Sequence, residues 1–179
     1  PLPNGTGANG IVEVTATGYQ ALDKGIGPNQ TSQVGVLGGP KVVRALAAYD
    51  PDGSGPLPSM LYAAGSFMFA SEPGTTITSQ RWSIAAWNGT SWQRVGPEGA
   101  PGLELGDLSV GDAIRFNVRA MAVYDPDQGG PLPPELYVGG AFPTAGGVSA
   151  QGIARWNGVT STWSDVGGPF AGSQNVVYA

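Results

Sequence analysis

The chain has no cysteine and no histidine. The first absence removes a disulfide framework, a thiolate nucleophile and any zinc–cysteine site. The second removes Ser-His-Asp and Cys-His catalysis, together with the imidazole ligands that zinc and copper usually take. Positive charge is scarce as well: eight Lys and Arg stand against thirteen Asp and Glu, for a net charge of −5. With no basic patch to meet phosphates, nucleic acid is not an expected partner. No apolar run reaches the roughly 18 residues a spanning helix needs, so no membrane span is expected. No signal peptide is visible, and a chain opening on Pro1 reads as a processed protein or a fragment.

Glycine and proline are abundant, at 30 and 16 residues, a level at which disorder has to be considered. The apolar fraction of 41% and the repeated placement of the tryptophans argue instead for turns between short, packed strands. Few charges and much Gly, Ser, Thr and Asn point to an extracellular or cell-surface protein. Asn4, Asn29 and Asn88 open N-x-T triplets, which matter only in a glycosylating host.

The dominant feature is a repeat. VRALAAYDPDGSGPLPSMLYAAGSF (43–67) closes with WNGTSWQRVG (87–96), and VRAMAVYDPDQGGPLPPELYVGGAF (118–142) closes with WNGVTSTWSDVG (156–167). Each copy predicts four short strands: 43–49, 60–67, 81–87 and 91–96 in the first, and 118–124, 135–142, 151–156 and 162–167 in the second. In the first strand Val43, Ala45 and Ala47 are expected on one face, with Arg44, Leu46 and Ala48 on the other. The turns suit antiparallel pairing: Asp50-Pro51-Asp52-Gly53 and Asp125-Pro126-Asp127 after the first strand, Asn88-Gly89 and Asn157-Gly158 after the third. Little or no helix is expected, since no stretch keeps a 3.6-residue period with caps. Residues 11–17 predict a further strand, 18–30 a loop, and Thr31 to Gly35 echoes a closing strand.

A four-stranded antiparallel meander that repeats is the pattern of a propeller blade. The phrase LYVGGAFPTAGGVSAQGIARWNG (136–158) resembles the kelch-like β-propeller repeats of bacterial secreted and surface proteins and of fungal cell-surface polarity markers. The resemblance covers 43–96 and 118–167 well, 31–35 and 176–179 in part, and 1–30 not at all. It implies an all-β fold with two full blades and partial blades at both ends. Residues 1–42 would then be an arm and the end of a preceding blade, 43–96 and 118–167 the two blades, 97–117 an insertion, and 168–179 the start of a further blade. Copper-dependent kelch-like enzymes use Tyr, His and a Cys-crosslinked Tyr; without His or Cys, that chemistry does not carry over.

The two copies disagree in two places. The first has a longer stretch between its second and third strands, where Met68 to Gln80 replaces the AGG segment, and PEGAPGLELGDLSVGDAIRFN (97–117) separates the copies. In an up-and-down meander both insertions emerge on one side, and such insertions often mark the binding side of a repeat protein. Met68, Phe69, Glu72, Glu98, Glu104, Asp107, Asp112, Arg115 and Phe116 are therefore the candidate ligand-binding residues, with a glycan or a protein as the expected partner.

The expected function is a non-catalytic extracellular scaffold or recognition module. Its partial blades are expected to be completed by the remainder of a longer propeller chain or, as one alternative, by neighbouring copies in a self-assembling ring or filament, the filament using 11–17 as its donor strand. Another is a segment of a secreted carbohydrate-active enzyme, with Glu98, Glu104, Asp107 and Asp112 as its carboxylates. No cofactor is expected, with one opening left for calcium. Asp50, Asp52 and Ser54 have the opening spacing of a calcium loop but lack the acidic residue at its twelfth position, where Leu61 stands. The tryptophans are read as packing between blades rather than as sugar platforms, Arg44 and Arg119 as structural contacts, and Arg155 and Arg81 as surface or edge charges.

Overall fold

The structure, a computed structural model, describes residues 11–22, 42–67, 83–96, 103–104 and 117–167. All regular structure among them is β. A hairpin of β1 (Val12–Thr15) and β2 (Gly18–Ala21) comes first. Sheet I then runs through β3 (Val42–Tyr49), β4 (Met60–Ser66), β5 (Ile84–Trp87) and β6 (Trp92–Arg94). After the short β7 (Leu103–Glu104), sheet II runs through β8 (Asn117–Tyr124), β9 (Glu135–Ala141), β12 (Ile153–Asn157) and β13 (Thr162–Asp165). Inside the β9–β12 connection lie β10 (Thr144–Ala145) and β11 (Val148–Ser149). Both four-stranded sheets are antiparallel meanders, and no sheet among the described residues closes on itself.

The two sheets repeat down to single residue pairs. Leu61 faces Trp87, and Trp87 faces Trp92. In sheet II Leu136 faces Trp156, and Trp156 faces Trp163. Each strand pair turns where the sequence places Asn-Gly. The Asn88 carboxamide oxygen accepts the N–H groups of Thr90 and Ser91, both at 2.9 Å, and that of Asn157 accepts from Thr160 at 3.0 Å.

The simple alternation expected for β3 does not hold. Val43 pairs with Gly65 and Ala45 with Ala64, so Arg44 is an extra residue in a bulge; Arg119 occupies the same position between Val118 and Ala120. The bulge moves the side chains after it to the opposite face. Val43 packs toward the hairpin, whereas Ala47 and Tyr49 pack toward sheet II. Gly65 lets the bulge close, because a Cβ there would run into the Val42 carbonyl.

Sheet I is covered on both faces. Toward the hairpin, Ala63, Phe67, Ala85 and Trp92 pack with Leu22. Toward sheet II, Tyr49, Tyr62, Ala64, Ile84, Ala86 and Val95 meet Val118, Leu136, Val138, Ala154, Trp156 and Trp163. Each large apolar side chain removed from water this way contributes about 1.5–3 kcal/mol. The described tryptophans are packing residues, as expected: Trp92, Trp156 and Trp163 are buried and Trp87 half-buried.

The N-terminal region differs from expectation in two respects. Residues 18–21 are a strand rather than a loop, and 12–15 is already paired with them, so it is half of a hairpin and not a lone donor strand. Gly18, at φ +137°, makes the tight return that the expectation of a loop overlooked. Leu22, just after β2, packs with Trp92; the segment 31–35, read as the echo of a closing strand, lies outside the described residues, as does 176–179.

Candidate functional site

Three regions could carry function: the insertion side, the aspartate turns and the faces between stacked elements. On the insertion side, β7 pairs antiparallel with β10, placing Glu104 opposite Thr144 and Leu103 opposite Ala145. The segment 97–117 thus reaches the loop between the second and third strands of sheet II and extends the β10–β11 hairpin to three strands. The two kinds of connection expected to share one side do meet there. Of the candidate binding residues, only the Glu104 backbone is described. Met68, Phe69, Glu72, Glu98, Asp107, Asp112, Arg115 and Phe116 lie outside the described residues.

The aspartate turns are built alike in both sheets. Asp50 accepts the Asp52 N–H at 3.4 Å, and Asp52 accepts the Leu57 N–H at 3.0 Å. Asp125 accepts from Asp127 at 3.2 Å and from Gly129 at 2.8 Å, and Asp127 accepts from Leu132 at 2.8 Å. Gly55 and Gly130 admit these carboxylates, since a Cβ at either would strike the Asp52 or Asp127 side chain. Desolvation opposes ionisation of Asp125, but the hydrogen bonds from Asp127, Gly129 and Gln128 outweigh it and hold the carboxyl below the usual aspartate range. Ser54 is exposed beside the first turn. Calcium takes about six to eight oxygens. Among the described residues no group of three or more acidic side chains comes together to supply them. The turn geometry accounts for Asp50 and Asp52 as acceptors for backbone N–H groups.

The face between the sheets contains a repeated set of polar contacts. The Tyr49 hydroxyl donates to the Pro134 carbonyl at 2.9 Å and accepts the Gly158 N–H at 3.0 Å. Gly158 has to be glycine for this approach, because a Cβ would sit 2.6 Å from the Pro51 Cβ and 3.1 Å from the Tyr49 ring. Tyr62 packs edge-on against Tyr49, with ring centroids 5.4 Å apart. Burial raises both phenols, Tyr62 to about 12, so the pair stays neutral across the ordinary pH range. Two indoles make the next contact in the series: Trp92 Nε1 donates to the Leu22 carbonyl at 3.1 Å, and Trp163 Nε1 to the Val95 carbonyl at 3.4 Å. Sequence reading placed the tryptophans in the core but missed these donors, because they depend on which carbonyl the preceding element presents.

The outer face of sheet II keeps the tyrosine pair and changes its surroundings. Tyr124 and Tyr137 stand 6.0 Å apart, edge to face. Glu135 and Arg155 occupy the places that Met60 and Ala86 hold in sheet I, and they form an ion pair at 3.0 Å. The Tyr137 hydroxyl donates to the same carboxylate at 3.3 Å. The nearby Glu135 charge raises the Arg155 guanidinium further above its ordinary value. Arg155 is thus the edge charge the sequence suggested, with a defined partner. Arg44 is exposed and Arg119 half-buried, both at the bulge; Arg81 lies outside the described residues. Compared with known protein families, characterised proteins and solved structures, the chain has no match.

Proposed function

We propose that the chain is a non-catalytic, extracellular or cell-surface scaffold of kelch-like propeller blades that recognises a glycan or protein through its insertion side. The observation that carries this reading is the pairing of β7 with β10. It joins the segment 97–117 to the loop of the following unit, on the side where the two copies differ most. Two stacked four-stranded meanders with matching register support the blade assignment. The test is binding of the whole chain to immobilised panels of glycans and of surface proteins, beside a variant carrying E98Q, E104Q, D107N and D112N. The expected result is a binder whose affinity falls at least tenfold in the variant, at unchanged melting temperature. A wild-type chain that binds nothing in the panels, or a variant that binds equally well, counts against the reading.

A second reading is favoured by a separate observation. Large apolar side chains are exposed at both ends of the stack: Val14 and Tyr19 on the hairpin, Tyr124 and Val166 on sheet II. Soluble monomers seldom leave such faces open. Under this reading the chain is a subunit that assembles with its own copies into a ring or filament.

A further inference from the structure

The joints within the chain follow one rule: an aromatic at the start of a unit's last strand donates to a carbonyl at the end of the preceding unit's last strand. Trp163 reaches Val95, and Trp92 reaches Leu22. The register places Tyr19 at the same point of the hairpin. Tyr19 faces Val14 across β1–β2 as Trp92 faces Trp87 and Trp163 faces Trp156. The closing residues are equivalent as well, with Leu22, Val95 and Val166 each three positions after the aromatic. The described residues thus hold three aromatics and three closing residues, and the internal joints use two of each.

The unused pair lies at opposite ends of the stack and is exposed. Tyr19 is 55% exposed, whereas Trp92 and Trp163 are 5% exposed. Val166 is 41% exposed, whereas Val95 is 1% exposed. Around Tyr19, Val12 and Val14 complete an apolar strip on the free face of the hairpin. Around Val166, Tyr124 and Tyr137 continue the face that Tyr49 and Tyr62 form one unit earlier.

We infer that two copies of this chain join head to tail, the free hairpin face of one packing on the outer face of sheet II of the other. In that joint the Tyr19 hydroxyl donates to the Val166 carbonyl of the second copy, continuing the indole series. The occupant is a second copy because one chain carries both unfilled halves of a joint it already makes twice. Such a contact is heterologous, so it propagates into a ring or a filament according to the rotation per step. Ala16 stands in the hairpin where Gly158 stands in sheet II, counted from Val14 and Trp156. Its Cβ keeps Tyr124 from repeating the Tyr49 contact, so the aromatic–carbonyl pair and the valines hold the joint. The ion pair of Glu135 and Arg155 is already closed on itself and remains at the rim.

The inference rests on the assembly reading, and the experiment separates the two. Sedimentation velocity over a wide concentration range compares wild type, Y19A and V166D. The wild type is expected to associate with concentration, and each variant to weaken association at least tenfold with an unchanged melting temperature. The chain has no cysteine, so single-cysteine variants report contacts cleanly. At concentrations raised to offset the weakened joint, mixed Y19C and V166C should be joined by a short bismaleimide far more efficiently than either alone. A wild type that stays monomeric overturns both the assembly reading and the joint. A wild type that associates, with Y19A associating equally well or the mixed pair no better joined than Y19C alone, overturns the joint only.

Discussion

Sheets I and II share strand order, register, turns and bulge, yet their outer faces have different fates. Tyr49 is 1% exposed and Tyr124, its equivalent, is 57% exposed. Nothing in the strands themselves separates the two, since VRALAAY and VRAMAVY are nearly the same phrase. What separates them is that sheet II follows sheet I. Burial here belongs to the stacking order and not to the strand, and the side chains adjust accordingly. Met60 and Ala86 serve a dry joint, whereas Glu135 and Arg155 serve a face that water reaches.

The strongest way to break the comparison is to delete both tyrosines in turn. Tyr49→Ala removes a buried ring and leaves the Gly158 N–H and the Pro134 carbonyl without their partner. It should cost about 3–5 kcal/mol, in the range for truncating buried aromatics. Tyr124→Ala should cost less than about 1 kcal/mol, mainly the contact with Tyr137. Urea midpoints with unchanged slopes would measure both, and equal losses would mean that the two faces are not different after all.

A smaller effect separates two glycines by mechanism. Gly158→Ala drives a Cβ into Pro51 and Tyr49 and should cost about 1–3 kcal/mol through overpacking. At Gly89 there is open space around the Cβ position, but φ is +97°. Gly89→Ala should therefore cost about 1–2 kcal/mol through backbone strain alone. The two separate in a Tyr49→Ala background, where the Gly158 penalty should shrink and the Gly89 penalty should not; thermal melts of the double variants test this.

The smallest effect lies in the aspartate turns. Asp125 is held below the usual aspartate range, so the folded state favours its ionised form. Its contribution is present above the unfolded value and is lost as pH falls through the folded one, on the acid side of about pH 4. Asp125→Asn, which replaces the carboxylate that takes the N–H groups of Asp127 at 3.2 Å and Gly129 at 2.8 Å, should flatten the acid limb of the stability profile relative to the wild type. Melting temperatures between neutral pH and about pH 3 compare them.

Much of the fold was legible because the repeat marks each strand with its own turn. Asp-Pro-Asp and Asn-Gly bracket the strands in both copies, and the observed strands fall within a few residues of the expected ones. Less legible was whatever depends on partners distant in sequence. The bulge at Arg44 is fixed by pairing with β4, and alternation within one strand cannot reveal it. The hairpin strand at 18–21 has weak apolar character of its own and becomes recognisable only once Tyr19 and Leu22 are aligned with Trp92 and Val95. The strand at 103–104 is two residues long and defined by its partner at 144–145. Of the site, the meeting of 103–104 with the β9–β12 connection was foreseeable from loop sides, whereas the aromatic-to-carbonyl series needed the stack.

The bulge has a consequence for how the repeat can vary. Val43 and Tyr49 are six positions apart and in an unbroken strand would point the same way. With one extra residue between them they point to opposite neighbours, so a single strand serves the element before it and the element after it. Arg44 and Arg119 act as a phase slip of half a period. Their count is fixed by the pairing: losing either residue would put the strand out of frame and turn its tyrosine from the following unit toward the preceding one.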